Sequence, residues 1–250
     1  MMRFGTSGFL QEGIIGDANL TEVEFPNDFK PQLQKVSRSP LSFTRQIVLM
    51  DDFGTPNSWT ENDRQKICGW LLHNEYKSLV FEDRPDIVYY VMATGNIGLN
   101  TINEQGYLEL EFRTNSPYPW KQPRSIEVAA SGAGASSVTL NIDKYLAVDK
   151  LYPTIVLERM TTSATLVGVY TAGNAATTFM LDNALITSVN KITINTRNRS
   201  IINTLTGDSV YRYKAAAAGF GWMYLAPGDN TIYISQGWKA TITYQEPVIY

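Results

Sequence analysis

The sequence predicts a mainly β protein of two domains, with a single α-helix in the first. Three observations predict this fold class. Residues 41–50 and 107–113 alternate apolar and polar side chains, as in strands, whereas residues 60–72 have helical spacing. A proline-rich break at residues 115–123 is followed by short apolar segments separated by turn signals. We therefore predict domains at residues 1–120 and 121–250, each of ordinary size.

Composition restricts the classes of function. The chain is 44% hydrophobic and 18% charged, which is typical of globular proteins. Its net charge of −3 provides no broad positive field, so we expect no nucleic-acid partner. The single cysteine, Cys68, excludes an intramolecular disulfide and a thiolate metal cluster. No apolar run has the length of a membrane span or a signal peptide, so we expect synthesis in the host cytoplasm and no membrane partner.

Residues 1–50 lead from an irregular segment into a long strand. Glycines and prolines are frequent up to residue 40, which predicts short strands and turns in an extended arm. Residues 41–50 then alternate clearly. One face carries Leu41, Phe43, Ile47 and Leu49, interrupted by Arg45; on the other face, Val48 and Met50 are also apolar. A strand covered on both sides, with a neighbouring subunit on one of them, would have this pattern.

The helix at residues 60–72 has a definite start. Thr60 is a favourable N-cap, and Asp63 occupies the position of a capping box. Ile67, Trp70 and Leu71 follow at i, i+3 and i+4 and predict one apolar stripe.

The strand at residues 107–113 predicts a sheet with one buried face and one wet face. Leu108, Leu110 and Phe112 lie on one side, and charged or tyrosine side chains lie on the other. The prolines that follow cannot continue a ladder of hydrogen bonds, so the domain boundary is predicted there.

The second half contains many short alternating segments, around residues 138–142, 155–157, 192–194, 232–234 and 240–244. Turn residues recur at 206–208 and 227–230. This spacing predicts a β-sandwich or jelly roll.

The order of these motifs resembles the distal tail protein (Dit) family of long-tailed, siphovirus-type bacteriophages. In the first half the matching features are Trp59, the helix with Arg64 and Trp70-Leu71, the strand end Phe81-Glu82-Asp83, and Gly106-Tyr-Leu followed by Phe112 and Asn115-Ser-Pro-Tyr118. In the second half they are the hairpin at residues 191–203 and the closing segment 225–235. The resemblance implies a β-sandwich-like N-terminal domain with one helix and a galectin-like C-terminal β-sandwich.

The resemblance also implies a function. The N-terminal domain would close into a homo-oligomeric, hexameric ring at the distal end of the tail tube. The C-terminal domain would provide a docking hub for receptor-binding or tail-tip proteins in the virion baseplate. A ring requires two different complementary faces on each subunit. Because the strand at residues 41–50 is apolar on both sides, we expect this strand and the loop that follows it to form part of the subunit contact, with Val48, Met50 and Trp59 as the candidate residues.

The sequence does not favour an enzyme, and we predict no catalytic residue, cofactor or metal site. His73 is the only histidine and follows the helix, where the helix dipole favours it. Cys68 beside Ile67 is expected to be a buried small hydrophobe. The carboxylate pairs Asp51-Asp52, Glu82-Asp83 and Glu109/Glu111 are expected on turns or on a wet strand face.

An alternative function is a carbohydrate-binding module that attaches the virion to the host cell wall. Aromatic rings near Trp222, Tyr224, Tyr233 and Trp238 could stack on sugars, with Trp222 and Trp238 as the candidate contacts. Large aromatic side chains more often fill cores and subunit interfaces. A wall-degrading hydrolase would be a third reading and would need two carboxylates converging across a sugar.

Overall fold

A computed structural model describes residues 2–3, 15–24, 30–51, 53–102, 105–130, 134–143, 150–160, 166–171, 179–182, 189–211 and 222–248. The chain forms two compact units, residues 1–120 with 248–250 and residues 121–247. We refer to them as the N-terminal and C-terminal units. The described residues form antiparallel sheets and one helix, so the predicted fold class is confirmed.

The N-terminal unit contains one main sheet with the strand order β1-β4-β7-β6-β5 and a separate hairpin, β2-β3. All pairings are antiparallel. Its elements are β1 (Met2–Arg3), β2 (Ala18–Val23), β3 (Gln32–Arg38), β4 (Ser42–Leu49), α1 (Glu61–Leu71), β5 (Lys77–Phe81), β6 (Arg84–Ile102) and β7 (Gln105–Thr114), followed by β8 (Trp120–Lys121) at the junction of the units.

The helix covers one face of this sheet. Phe43 and Ile47 of β4 and Leu108, Leu110 and Phe112 of β7 are buried in one cluster with Ile67 and Leu71 of α1. The predicted faces of β4 and β7 are therefore confirmed. Arg45, which interrupts the β4 face, is also buried, and its guanidinium lies 4.9 Å from the centre of the Phe81 ring. This cation–π contact explains how the pattern tolerates a charge there.

The capping box of α1 is present as predicted. The Thr60 hydroxyl accepts from the Asp63 backbone N–H at 3.3 Å, and the Asp63 carboxylate accepts from the Thr60 backbone N–H at 3.2 Å. The apolar stripe is narrower than predicted, because Trp70 is 45% exposed and Cys68 is exposed as well. Positions 68 and 70 lie on either side of the line joining Ile67 to Leu71, so they point past the edges of the covered face.

The β2-β3 hairpin is exposed on both faces. At its base, Gly16 donates its N–H to Pro117 O at 2.8 Å, and a Cβ at this position would lie 1.6 Å from Ser39 O. Only glycine allows such a close approach. The remaining parts of the predicted arm at residues 4–14 and 25–29 lie outside the described residues.

The C-terminal unit consists of two antiparallel sheets. Their strand orders are β10-β16-β12-β13 and β15-β14-β11-β17-β9. The strands are β9 (Arg124–Ala129), β10 (Ser136–Ile142), β11 (Thr154–Arg159), β12 (Leu166–Thr171), β13 (Phe179–Asp182), β14 (Lys191–Asn195), β15 (Ser200–Asn203), β16 (Gly228–Ile234) and β17 (Trp238–Tyr244).

Each of these sheets has one buried apolar face. Side chains alternate strictly along β16 and β17, and the buried positions include Ile232, Ile234, Trp238, Ala240 and Ile242. Two sheets that bury alternating apolar faces form a β-sandwich, as the turn spacing predicted.

Candidate interaction surfaces

β4 lies near one edge of the N-terminal sheet. It pairs with β7 from Ser42 to Val48, whereas β1 pairs only with Val48 and Leu49 on the other side. Within the described residues, positions 42–47 therefore have no paired strand on their outer side. Backbone groups on such an edge can pair with another chain. Val48 and Met50 are half-buried here, on the face opposite Phe43 and Ile47.

Asp51 forms hydrogen bonds with the described part of the loop after β4. Its carboxylate Oδ1 accepts from the backbone N–H groups of Phe53 at 2.9 Å and Thr55 at 2.8 Å. Gly54 adopts φ +83°, which glycine tolerates without strain. Asn57 N donates to Leu49 O at 2.8 Å and closes the loop. As a result, Phe53 is held on an ordered turn while remaining 95% exposed.

Trp59 does not belong to a free surface. It is 5% exposed and packs in the same cluster as Ile67 and Leu108. Its indole N–H donates to Gly106 O at 3.0 Å. The assignment of Trp59 to a subunit contact is therefore corrected: its apolar ring is covered by the sheet and helix of its own unit.

A further apolar surface lies around β5, at the opposite edge of the sheet. Leu72 and Tyr76 are exposed there, near Trp70 at the end of α1, and Val80 is exposed on β5, on the face of the strand opposite Leu79. A groove beside them is lined by α1, β5 and β6 residues and by Phe112 of β7, including Trp70, Leu71, Leu79, Val91, Met92 and Ala93. Sequence reasoning missed this surface. One feature of the sequence could have indicated it: the apolar residues at the end of the helix continue past the buried Ile67 and Leu71 to Leu72.

The C-terminal unit carries a partly exposed aromatic pair. The rings of Tyr211 and Trp222 are 6.0 Å apart and tilted by 33°. Tyr224 lies two residues on, with the Lys150 ammonium 4.6 Å from its ring centre. Tyr211 and Tyr152 are each about half exposed. These side chains form a surface that could contact a flat ring or a protein.

Trp238, the second predicted glycan contact, is completely buried. It begins β17, and the guanidinium of Arg159 lies 5.4 Å from its ring centre. Its indole N–H has no acceptor within the described residues. Because no part of the ring reaches the surface in this conformation, stacking on a sugar is excluded for Trp238, and its place is in the core.

The residues considered for catalysis are dispersed. His73 is exposed just beyond α1, near Glu75 and Lys77, and Glu109 and Glu111 are exposed on β7. Glu82 and Asp83 form the turn between β5 and β6. Asp51 binds its own loop, and Asp52 lies outside the described residues. Across the described ranges, no three His, Cys, Asp or Glu side chains are grouped so that they could hold a metal ion.

The pKa shifts in the N-terminal unit arise from local pairs. A hydrogen bond from the Thr60 side chain lowers the pKa of Asp63. The pKa of Glu75 is lowered by its hydrogen bond with Lys77. Such exposed pairs are typical of solvated surfaces. In the part of the chain that is described, no helix has the length and apolar character to cross a membrane.

Comparison with known proteins identifies the class of protein that this chain resembles. Residues 1–116 match the family model described as phage tail protein N-terminal domain. A comparison with curated proteins finds no significant match.

The fold matches solved structures over nearly the whole chain. The crystal structure of the SPP1 Dit protein, described as a paradigm of the hub adsorption apparatus in Gram-positive infecting phages, is 12% identical, with a TM-score of 0.64 over 98% of this chain and 93% of that one. The phage P2 baseplate in its activated conformation with Ca gives 11% identity and a TM-score of 0.53, over 100% of this chain and 91% of that one. The same baseplate with Sr gives 10% identity and a TM-score of 0.52, with coverage of 100% and 91%. The resemblance to distal tail proteins is confirmed at the level of the fold.

Proposed function

We propose that this chain, whose first 116 residues match the phage tail protein N-terminal domain family and whose fold is that of a distal tail protein, is a structural component of a phage tail tip. It acts through contacts between proteins and not through catalysis. The N-terminal unit forms a hexameric ring at the distal end of the tail tube, and the C-terminal unit is a docking hub for receptor-binding or tail-tip proteins. The observation that carries this proposal is a fold match covering both units of the chain.

The physical features of the N-terminal unit support ring formation. A closed ring needs two different complementary surfaces on each subunit. The outer edge of β4 and the Phe53 loop provide apolar and backbone groups at one side of the sheet. The surface around β5 provides exposed apolar side chains at the other side. Exposed apolar patches of this kind commonly mark protein interfaces.

Mass measurement tests the ring. Native mass spectrometry of the purified chain should give an oligomer of six 28.0 kDa subunits, and negative-stain images should show a ring. A compact dimer built on a two-fold contact would contradict the proposal, because a two-fold contact uses the same surface on both subunits.

Placement in the virion tests the docking role. Antibody against the C-terminal unit should label phage particles at the distal tip of the tail, and no label is expected along the tail or on the capsid. Purified tail-tip proteins should bind the ring. Comparing their binding to the wild type and to a variant with both Tyr211→Ala and Trp222→Ala shows whether the aromatic surface contributes to docking. Label confined to the capsid would refute the assignment.

A second candidate function is carbohydrate binding by the aromatic surface of the C-terminal unit. The observation favouring it is the tilted, partly exposed pair of Tyr211 and Trp222. Aromatic rings of this kind can stack on pyranose sugars, although they equally suit a protein partner.

Titration calorimetry with purified host cell-wall glycan distinguishes a carbohydrate-binding surface from a surface that binds a protein. A glycan module would bind saturably and lose binding with Trp222→Ala. Trp238→Ala is unsuitable as a test, because removing this buried ring should cost about 3–5 kcal/mol of folding free energy. Absence of binding by the wild-type ring would remove this candidate.

A further inference from the structure

We propose that Phe53 of one subunit inserts into the groove between α1 and β5 of the next subunit. This inference rests on the proposed ring and identifies the two complementary surfaces that close it. The occupant of the groove is thus a second copy of this chain.

Phe53 is suited to anchor a contact between subunits because its side chain is exposed. A phenylalanine that is 95% exposed leaves nearly all its apolar surface in water, and burying that surface in a contact favours association. The two hydrogen bonds that Asp51 accepts from this turn hold it in place before binding. A pre-ordered anchor loses little conformational entropy when it docks.

The groove between α1 and β5 offers apolar side chains to an incoming ring. It has a volume of about 60 Å³ and is open to solvent, with apolar side chains along its floor and the partly exposed Trp70 beside them. Because the groove is shallow and open, it can receive the edge of an aromatic ring, which then packs against these side chains. Glu75 and Lys77 also line the groove and form a hydrogen-bonded ion pair, so neither charge would be left without a partner if a ring packed beside them.

Phe53 and the groove lie at opposite edges of the N-terminal sheet. The exposed large apolar side chains of the described N-terminal unit occur at three places: the β2-β3 hairpin (Leu20, Leu33 and Val36), the loop tip (Phe53), and the β5 surface (Trp70, Leu72, Tyr76 and Val80). The loop follows β4 and the groove lies beside β5, at opposite edges of the sheet. A subunit therefore cannot fill its own groove with its own loop.

The strand directions sharpen this geometry. β4 ends beside Tyr107, at the start of β7, whereas Val91 of β6 pairs with Thr114 at the end of β7. Because β5 pairs with the Val91 end of β6, Phe53 and the groove lie at diagonal corners of the sheet. A contact that joins the Phe53 corner of one subunit to the groove corner of the next uses two different surfaces and is therefore heterologous. Such a contact forms a closed ring when the rotation from each subunit to the next completes a full turn.

Complementation of two defective variants tests the contact. Phe53→Ala removes the anchor and keeps the groove, whereas Trp70→Glu places a charge at the groove and keeps the anchor. Each variant alone should be monomeric in native mass spectrometry. An equimolar mixture should form heterodimers of two 28.0 kDa chains and no rings, since only one productive contact remains in each pair. Each variant should keep the far-UV circular dichroism spectrum of the wild type, because Phe53 is 95% exposed and Trp70 is 45% exposed, so the loss of the ring would not be a loss of the fold.

Photo-cross-linking provides the second measurement. A benzophenone amino acid at position 53 should cross-link to another chain within the groove, with the products mapped to residues 70–80 or 91–93. The same amino acid at Leu205, an exposed apolar residue of the C-terminal unit, is the control.

The outcomes separate this inference from the proposed ring. Rings of unchanged mass for Phe53→Ala, or cross-links outside the groove, overturn the inference and leave the ring intact. A wild-type chain that stays monomeric at high concentration and gives no cross-link between chains overturns both.

Discussion

Asp51 and Thr60 each bind backbone N–H groups, at the two ends of the segment that joins β4 to α1. Asp51 holds the turn that presents Phe53, and Thr60 starts the helix. Both use a short polar side chain to satisfy backbone donors that no strand or helix can reach. The Asp51 hydrogen bonds set the conformation of the turn that carries Phe53, and the Thr60 cap sets the first residue of the helix that carries Trp70. The positions of both exposed side chains therefore depend on these local hydrogen bonds.

Replacing Thr60 with alanine should destabilise the N-terminal unit by about 1 kcal/mol, since the helix loses its N-cap. The Thr60 hydrogen bond lowers the folded-state pKa of Asp63, so its stabilisation is complete above the unfolded-state value of about 4 and is lost as the pH falls further. Urea unfolding should show the difference between variant and wild type at about pH 7 and a smaller one at about pH 3. Ser58→Ala, at an exposed neighbouring position, is the control and should have little effect.

The two faces of β4 are covered to different extents. Its Phe43 and Ile47 face is buried under α1, and this burial fixes its register against β7. Its other face carries Val48 and Met50, which the unit itself covers only in part. A strand whose apolar end is incompletely covered, and whose outer edge pairs with β1 at only two positions within the described residues, is suited to an interface.

Changing Val48 and Met50 together to aspartate should convert the proposed ring to monomers, because two charges would be buried without partners in the proposed contact. Size-exclusion chromatography with light scattering measures this conversion. Changing Ser137 and Thr139 together to aspartate is the matched control, since both are exposed on β10 of the C-terminal unit, and the ring should persist. A double variant that still elutes as a ring would show that this end of β4 lies outside the contact.

At the scale of the whole molecule, each unit has its own core. The N-terminal core joins a helix to one sheet, whereas the C-terminal core lies in a β-sandwich. In the C-terminal unit, Lys121 near its start and Glu246 near its end form an ion pair at 2.5 Å, and Lys121 N donates to Glu246 O at 2.8 Å. The Glu246 side chain is almost fully buried, so it depends on this cation.

Lys121→Met should therefore destabilise the C-terminal unit by roughly 1–3 kcal/mol, because the buried carboxylate loses its partner. Lys191→Met breaks an exposed pair with Glu158 and is expected to cost less than about 0.5 kcal/mol. Thermal unfolding of both variants provides the measurement. Equal losses for the two would contradict the role assigned to Glu246.

The sequence by itself determined the elements and the faces of this protein. Alternation in residues 41–50 and 107–113 identified the buried sides of β4 and β7, and Thr60 with Asp63 identified the start of α1. These signals are local, because side-chain periodicity and capping depend on residues only a few positions apart.

Only the tertiary structure decided which apolar side chains are covered. Trp59 and Trp238 are in cores, whereas Phe53, Trp70 and Cys68 are exposed. Periodicity tells which residues share a face, but coverage depends on strands and helices distant in sequence. The diagonal separation of the Phe53 loop and the β5 groove follows from the order and direction of four strands, which no short stretch of sequence contains.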